Sequence, residues 1–380
     1  MKIQNLLLGA AICSSLTSCF KEEPLNAECD IEQAYVHVDE PTNIFFAASD
    51  TLVNVRSDAT DIVFEIKTDT LDALKLAPVF KLTEGATIEP ANGSEHDFSG
   101  GQSVTYKVTS QDGQWSKTYK VSFMTPETPD EFHFENFRLV DGPNKGQIYE
   151  WSDVTASGRW IGDWATGNPG FNISRGDASA DDYPTVPSSD GYEGNCAKLV
   201  TRDTGPLGHL VGMNIAAGNL FIGYFDVTKA LSNTMQATNF GRPFDKVPVR
   251  FTGWYKYRPG DVYKDKNNKV VEGRKDTGDI YAVLYRNHDD NGEARMLHGD
   301  DVLTNPLIVA VARLPEIKVT DEWTQFDIDF EYRGEIDRKL LAERGYSLTV
   351  VFTSSIGGAT FEGAIGSTLY IDEVKVICSD

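Results

Sequence analysis

Tryptophan planes beside arginine and aspartate are the groups in this chain best suited to a definite chemistry. A sugar presents flat C–H faces ringed by hydroxyls, and proteins hold it with exposed aromatic planes and a few hydrogen-bonding side chains. The segment Ser157-Gly158-Arg159-Trp160-Ile161-Gly162-Asp163-Trp164-Ala165-Thr166-Gly167-Asn168 sets Trp160 and Trp164 in a glycine-rich loop, with Arg159 and Asp163 alongside. So much glycine predicts that at least one of the rings stays exposed. A second stretch, Val249–Arg258, alternates with strand period. Arg250, Thr252, Trp254, Lys256 and Arg258 share one face, and Phe251, Gly253, Tyr255 and Tyr257 share the other, which is the expected core face. Trp254 then stands on a polar face beside Lys256. The next strand, Ile280–Arg286, is expected to pair with it and to add Arg286.

Catalytic signatures are weaker. Hydrolysis of a glycosidic bond needs two carboxylates about 5–9 Å apart. Asp163, Asp279 and Glu362 lie near aromatic or glycine-rich segments, yet none belongs to a recognisable acid–base motif. There is no G-x-S-x-G, H-E-x-x-H or P-loop pattern. His209, His288 and His298 are isolated from one another in sequence, which favours structural roles over metal binding. A polysaccharide lyase using Tyr, His or Arg stays open as an alternative. Asp289-Asp290-Asn291-Gly292-Glu293 lacks EF-hand spacing and reads as a tight turn. The five cysteines are scattered and contain no C-x-x-C, so neither a zinc knuckle nor a redox site is indicated.

The elements that must position these residues are short strands. A formal net charge of −22 disfavours binding to phosphate backbones and makes nucleic acid an unexpected partner. Residues 1–18 combine a basic start with the apolar run Leu6–Ile12, too short to span a bilayer, and end before Cys19. Small residues before a cysteine resemble a bacterial lipoprotein signal. That resemblance implies export and a lipidated Cys19, with membrane contact through the N-terminal lipid only and a cell-envelope, outer-membrane location. Residues 19–33 are polar and acidic, as in a tether.

From residue 34 to 125, β-branched or aromatic segments recur between Gly, Asn, Asp and Pro turns. They include Tyr35–Val38, Ile44–Phe46, Ile62–Ile66, Val104–Val108 and Thr118–Phe123, with a D-G hairpin signal at Asp112-Gly113. This fits an immunoglobulin-like sandwich. Residues 126–130, with prolines at 126 and 129, form a linker. In residues 131–380 strand candidates fall at Ala197–Thr201, Leu220–Phe225, Val249–Arg258, Ile280–Arg286, Trp323–Tyr332, Ser347–Ser354 and Leu369–Val376. One short helical region is read at Asp337–Arg344, and Pro259–Gly278 as a polar hairpin or loop. The fold class is all-β: an N-terminal Ig-like β-sandwich followed by a jelly-roll β-sandwich.

Two family resemblances rest on named residues. Leu76–Phe123, with Gly85, Pro90, Gly93, Asp97-Phe98 and the D-G hairpin in order, resembles small Ig-like domains that begin exported Bacteroidetes proteins. It implies a spacer or presenting module. Phe134–Phe137, Trp164–Asn168, Arg250–Tyr257, Gly278–Tyr285 and Gly363–Val374 together resemble the putative carbohydrate metabolism domain of gut Bacteroidetes lipoproteins. This implies a jelly roll similar to carbohydrate-binding modules, without fixing a catalytic activity. In such modules a structural Ca²⁺ commonly ties the first strand to the last; Glu135 and Asp372 are its candidate carboxylates here. No other cofactor is indicated. The expectation is glycan binding without catalysis through Trp160, Trp164 and Trp254, with Arg159, Lys256 and Arg286 as polar partners. A glycan-active hydrolase or lyase and an adhesive surface protein are the alternatives.

Overall fold

A computed structural model describes residues 24–379 except 47, 58, 68–73, 126–128, 155–159 and 162–163. The chain divides into two compact units, the first running to Met124 and the second from Thr125 to Asp380. The stretches Ile44–Ala47 and Glu65–Thr68 group with the second.

In the first unit, Ile31–Tyr35 lies between Leu52–Asn54 and Val79–Leu82 in an antiparallel sheet. A second sheet runs in the order Asp61–Glu65, Ser116–Met124, Ser103–Thr109, Thr87–Glu89. Strand alternation sends Tyr106, Val108, Tyr119, Val121 and Phe123 inward, all fully buried. Phe64 stacks on Phe123 at 4.6 Å between centroids. The D-G turn closes the long hairpin: Asp112 Oδ1 accepts from the Ser110 hydroxyl (2.6 Å) and the Gln114 N–H (2.9 Å). These two sheets form the Ig-like sandwich. Its first strand ends at Tyr35, so the strand expected over residues 35–38 lies earlier. Phe45 and Phe46 are buried outside any strand.

Eight strands of the second unit form its jelly roll: β1 (Cys196–Val200), β2 (Asn219–Phe225), β3 (Val247–Arg258), β4 (Asp279–Arg286), β5 (Ile308–Arg313), β6 (Thr320–Asp329), β7 (Tyr346–Thr353) and β8 (Thr368–Ser379), with shorter strands at the sheet edges. One sheet has the order β1-β8-β3-β6 and the other β2-β7-β4-β5, every pairing antiparallel. Successive strands pass from sheet to sheet, and only β4 and β5 are neighbours in both chain and sheet. That order is a jelly roll. Between the sheets lie Phe251, Tyr255 and Tyr257 of β3, Ile280, Ala282 and Leu284 of β4, and Phe352 of β7. Burying a large apolar side chain contributes roughly 1.5–3 kcal/mol, so this interior dominates the stability of the unit. Gly253 admits the ring of Phe326, whose edge sits 2.7 Å from where a Cβ would be.

The expected pairing of Val249–Arg258 with Ile280–Arg286 is corrected: β3 and β4 belong to opposite sheets. The intervening Pro259–Gly278 is a crossover, with Tyr263–Lys264 paired to Gly363–Ala364. Both faces of β4 are covered. Tyr281, Val283 and Tyr285 pack in a separate cluster with Phe221, Phe240, Leu297 and Val302, on the side away from the main core. Helices at Asn168–Arg175 and Gly205–Leu210 were not read from sequence. The helix Arg338–Ala342 falls where one was expected; Asp337 caps it by accepting from the N–H groups of Lys339 and Leu340.

At the end of the crossover, Asp276 is buried and acts as a knot. Its Oδ2 accepts from the Ser355 hydroxyl (2.5 Å), the Ala364 N–H (2.7 Å) and the Ser367 hydroxyl (2.7 Å). Each buried donor left without a partner costs about 1–3 kcal/mol. Asp276→Ala is therefore expected to destabilise the second unit by about 3 kcal/mol or more, read as a lowered urea midpoint followed by tryptophan fluorescence. Asp276→Asn keeps one acceptor oxygen and is expected to lose less.

Candidate functional site

The outer face of the β1-β8-β3-β6 sheet gathers aromatic rings from three strands and a loop. Alternation along β3 turns Tyr255 and Tyr257 into the core and leaves Trp254 and Lys256 on the opposite side. Register sets Lys256 of β3 opposite Tyr370 of β8, and Lys198 of β1 opposite the same tyrosine. Trp323 comes from β6. The Lys256 ammonium lies 4.6 Å from the Trp323 ring centroid and 4.8 Å from that of Tyr370. Asp190 completes its surroundings at 2.5 Å from Oδ2. Although Lys256 belongs to an outer face, it is 8% exposed. Two ring faces and a carboxylate hold the ammonium in place of water.

The segment 190–195, just before β1, covers this surface. Tyr192 stacks on Trp254 with centroids 4.0 Å apart and planes 10° from parallel. Trp323 meets Tyr192 nearly at right angles, at 6.4 Å. Tyr192 itself is 47% exposed, so its outer plane faces solvent. Two carboxylates hold the segment. Asp372 Oδ2 accepts from the N–H groups of Tyr192 (2.7 Å) and Glu193 (3.0 Å), and Oδ1 accepts from the N–H of Glu373 (2.9 Å). Glu135 accepts from the backbone N–H of Asn195 (2.8 Å) and from its side-chain amide (2.7 Å). Gly194 passes so near that a Cβ there would lie 2.0 Å from Glu135 Oε1, at a φ of +60°.

A family model described as "Putative carbohydrate metabolism domain" matches residues 133–377, the whole jelly roll with its aromatic face. The chain belongs to this family. A model described as "SGBP, N-terminal" matches residues 43–122. Among solved structures, a putative glycoside hydrolase from Bacteroides thetaiotaomicron is 38% identical over 95% of this chain and 99% of its own, with a TM-score of 0.70. Another from Bacteroides vulgatus is 38% identical over 66% of this chain and 98% of its own, with a TM-score of 0.62. No curated protein matches the chain.

Within this carbohydrate metabolism domain the residues singled out from sequence separate into groups. Trp254 and Lys256 lie on one face of β3, Trp254 against Tyr192 and Lys256 over Trp323 and Tyr370. Trp164 does not join them. It is 6% exposed and packs against Phe132, Phe134 and Phe352, with its Nε1–H donated to Asp153 (3.2 Å). The glycine-rich surroundings thus fail to expose it, because Trp164 begins a short strand on the edge of β2 and points into the core. Arg286 is also corrected: it ends β4 on the other sheet, where its guanidinium pairs with Asp290 at 3.0 Å. Trp160 pairs through its backbone with Val154; its side chain, and Arg159 altogether, lie outside the described residues, as does Cys19.

Glu135 and Asp372 do converge, but on the 190–195 segment. Their oxygens receive N–H donors, the reverse of what a cation needs, and Ca²⁺ takes 6–8 oxygens. Among the described residues no group of three or more His, Cys, Asp or Glu is placed to hold a metal. With these contacts the two carboxylates act as a hydrogen-bonded clamp on the segment. Tyr192, Trp323 and Tyr370 were missed in the sequence. Trp323 was legible by the rule that exposed Trp254, since Trp323, Gln325 and Asp327 share the face opposite buried Phe326. Tyr192 carries no such signal, because its position depends on carboxylates far away in sequence.

Burial raises Asp372 to about 6, while the three N–H donors pull it down. The folded protein thus holds this proton more tightly than the unfolded chain, whose carboxyl titrates near 3.8. Its contribution to stability is present below that lower value and is lost as pH rises through about 6. Asp372→Asn is expected to flatten the stability–pH curve between about 4 and 6, checked by denaturant titrations across that range. The same variant is expected to speed amide exchange at Tyr192 and Glu193, because an amide is a weaker acceptor than a carboxylate.

Proposed function

We propose that this protein is a cell-envelope lipoprotein that binds carbohydrate, without catalysis, on the outer face of the β1-β8-β3-β6 sheet. The stacked pair of Tyr192 and Trp254, flanked by Trp323 at right angles, carries the reading. Tyr192 offers its solvent-facing plane to the C–H face of a sugar ring, and the edge of Trp323 supplies a wall. Asp190, whose side chain is exposed, provides acceptor capacity for the surrounding hydroxyls, and its ion pair with Lys256 fixes its position. Because that pair is charge-balanced, it suits a neutral glycan. Membership of a carbohydrate-associated family supports the same reading. Anchoring through a lipidated Cys19, in the outer membrane, completes the proposal, with the N-terminal Ig-like unit as presenting module.

The test is binding of the soluble chain from residue 20 to an array of neutral and acidic glycans. Tyr192→Ala, Trp254→Ala and Trp323→Ala are each expected to weaken the hit about tenfold, given about 0.5–1.5 kcal/mol per aromatic contact beyond its buried area. Trp160→Ala reports on the loop read from sequence. Unchanged binding in all the variants would remove the site assignment. Separately, Cys19→Ser is expected to shift the protein from the membrane to the soluble fraction and to abolish incorporation of labelled palmitate.

Similarity to proteins described as putative glycoside hydrolases favours a second reading, a glycan-active enzyme. On the aromatic face Asp190 is ion-paired with Lys256 and Asp372 is engaged by backbone N–H groups, an arrangement suited to holding structure rather than to general acid–base chemistry. Release of reducing ends from a bound glycan would establish the enzymatic reading.

A further inference from the structure

The outer side of the second sheet holds a different kind of site. A cavity of about 430 Å³ opens over β2, β4 and β7, with Phe221, Tyr281 and Val351 lining it. That is within the 300–1,000 Å³ usual for small-molecule sites. The helices Asn168–Arg175 and Gly205–Leu210 contribute to its walls, together with residues 355–361. Leu207, Val211, Leu231 and Ile356 line it as well and remain exposed. Contiguous exposed apolar side chains around a concave site mark a binding surface more often than a plain exterior.

One charged pair lies in this apolar lining. Arg313 donates from Nε to Asp279 Oδ1 (3.0 Å) and from Nη2 to Oδ2 (2.7 Å). Asp279 is 5% exposed and also accepts from the N–H of Ile280 (3.1 Å), so its oxygens are engaged. The guanidinium is less so. Among the described residues its Nη1 has no hydrogen-bond partner, and the side chain keeps 40% of its exposure. The cavity thus presents donors without a matching acceptor.

Three physical constraints select the ligand. Apolar walls penalise a molecule with many hydroxyls, since each buried without a partner is costly. A second carboxylate beside Asp279, in a chain of net charge −22, is repelled. A cation meets Arg313. We infer that this cavity binds an uncharged, mainly apolar molecule carrying one carbonyl acceptor, of the class of aryl or alkyl esters and amides, with the carbonyl on Arg313. The site is separate from the aromatic face of the other sheet and does not depend on the sugar-binding reading.

The experiment uses the soluble chain from residue 20 and titrates methyl cinnamate, cinnamate ion and β-methylstyrene by calorimetry. Saturable binding of the ester, at least tenfold tighter than of the ion or the hydrocarbon, is expected. The double variant Asp279→Asn/Arg313→Gln removes both charges together, so neither is left buried alone. It is expected to erase the preference for ester over hydrocarbon. Leu231→Trp enlarges an exposed side chain at the cavity without disturbing the core and is expected to weaken all probes at least tenfold. Absence of saturable ester binding by folded protein, equal affinity for the ion, or binding unmoved by Leu231→Trp would each overturn the proposal.

Discussion

A single buried carboxylate organises the aromatic face. Asp372 lies in β8, at the centre of its sheet, and reaches out to the backbone of the segment that precedes β1. Those bonds fix the N–H groups of Tyr192 and Glu193 and hold the segment where Tyr192 lies flat on Trp254. Glu135 holds the other end of the same segment. A carboxylate accepting three N–H groups compensates much of its desolvation, which lets a charge-bearing group sit at zero exposure in a β-sandwich. The surface that is wet and aromatic thus depends on a polar contact that is dry.

The two sheets of the jelly roll differ in what covers them. The outer face of the β1-β8-β3-β6 sheet is covered by the short segment 190–195, where Tyr192 meets Trp254 and keeps much of its exposure. The β2-β7-β4-β5 sheet is overlaid by the long connections of the fold, and its outward tyrosines and phenylalanines become a second apolar cluster. Similar residue types therefore end in opposite circumstances. What decides between them is the length of the connections, which sequence alternation does not report.

Alternation was nevertheless the most informative feature of the sequence. It placed Phe251, Tyr255 and Tyr257 in the core and Trp254 and Lys256 outside. Seven of the eight jelly-roll strands lie on segments read as strands; β5 was passed over, its Ala310 and Ala312 lacking the bulk that marks a strand. Partnering was less legible than strand position. β3 and β4 look like a hairpin with a long loop, and only the strand order shows the crossover. Likewise sequence offered Glu135 and Asp372 as candidate carboxylates of one site but could not say that they meet backbone donors. Trp164 failed for a related reason: local glycine suggests exposure, whereas burial was set by Phe132, Phe134 and Phe352 from elsewhere in the chain.

The position of β8 has a consequence for how the molecule comes into being. This strand, last of the eight in chain order, is sandwiched between β1 and β3 and pairs with both. Until it is made, β1 pairs only with Thr185–Ser188, β3 has only β6 as a partner, and Asp372 is missing. Most of the sheet therefore closes late, through contacts between distant parts of the chain, which is a slow mode of folding.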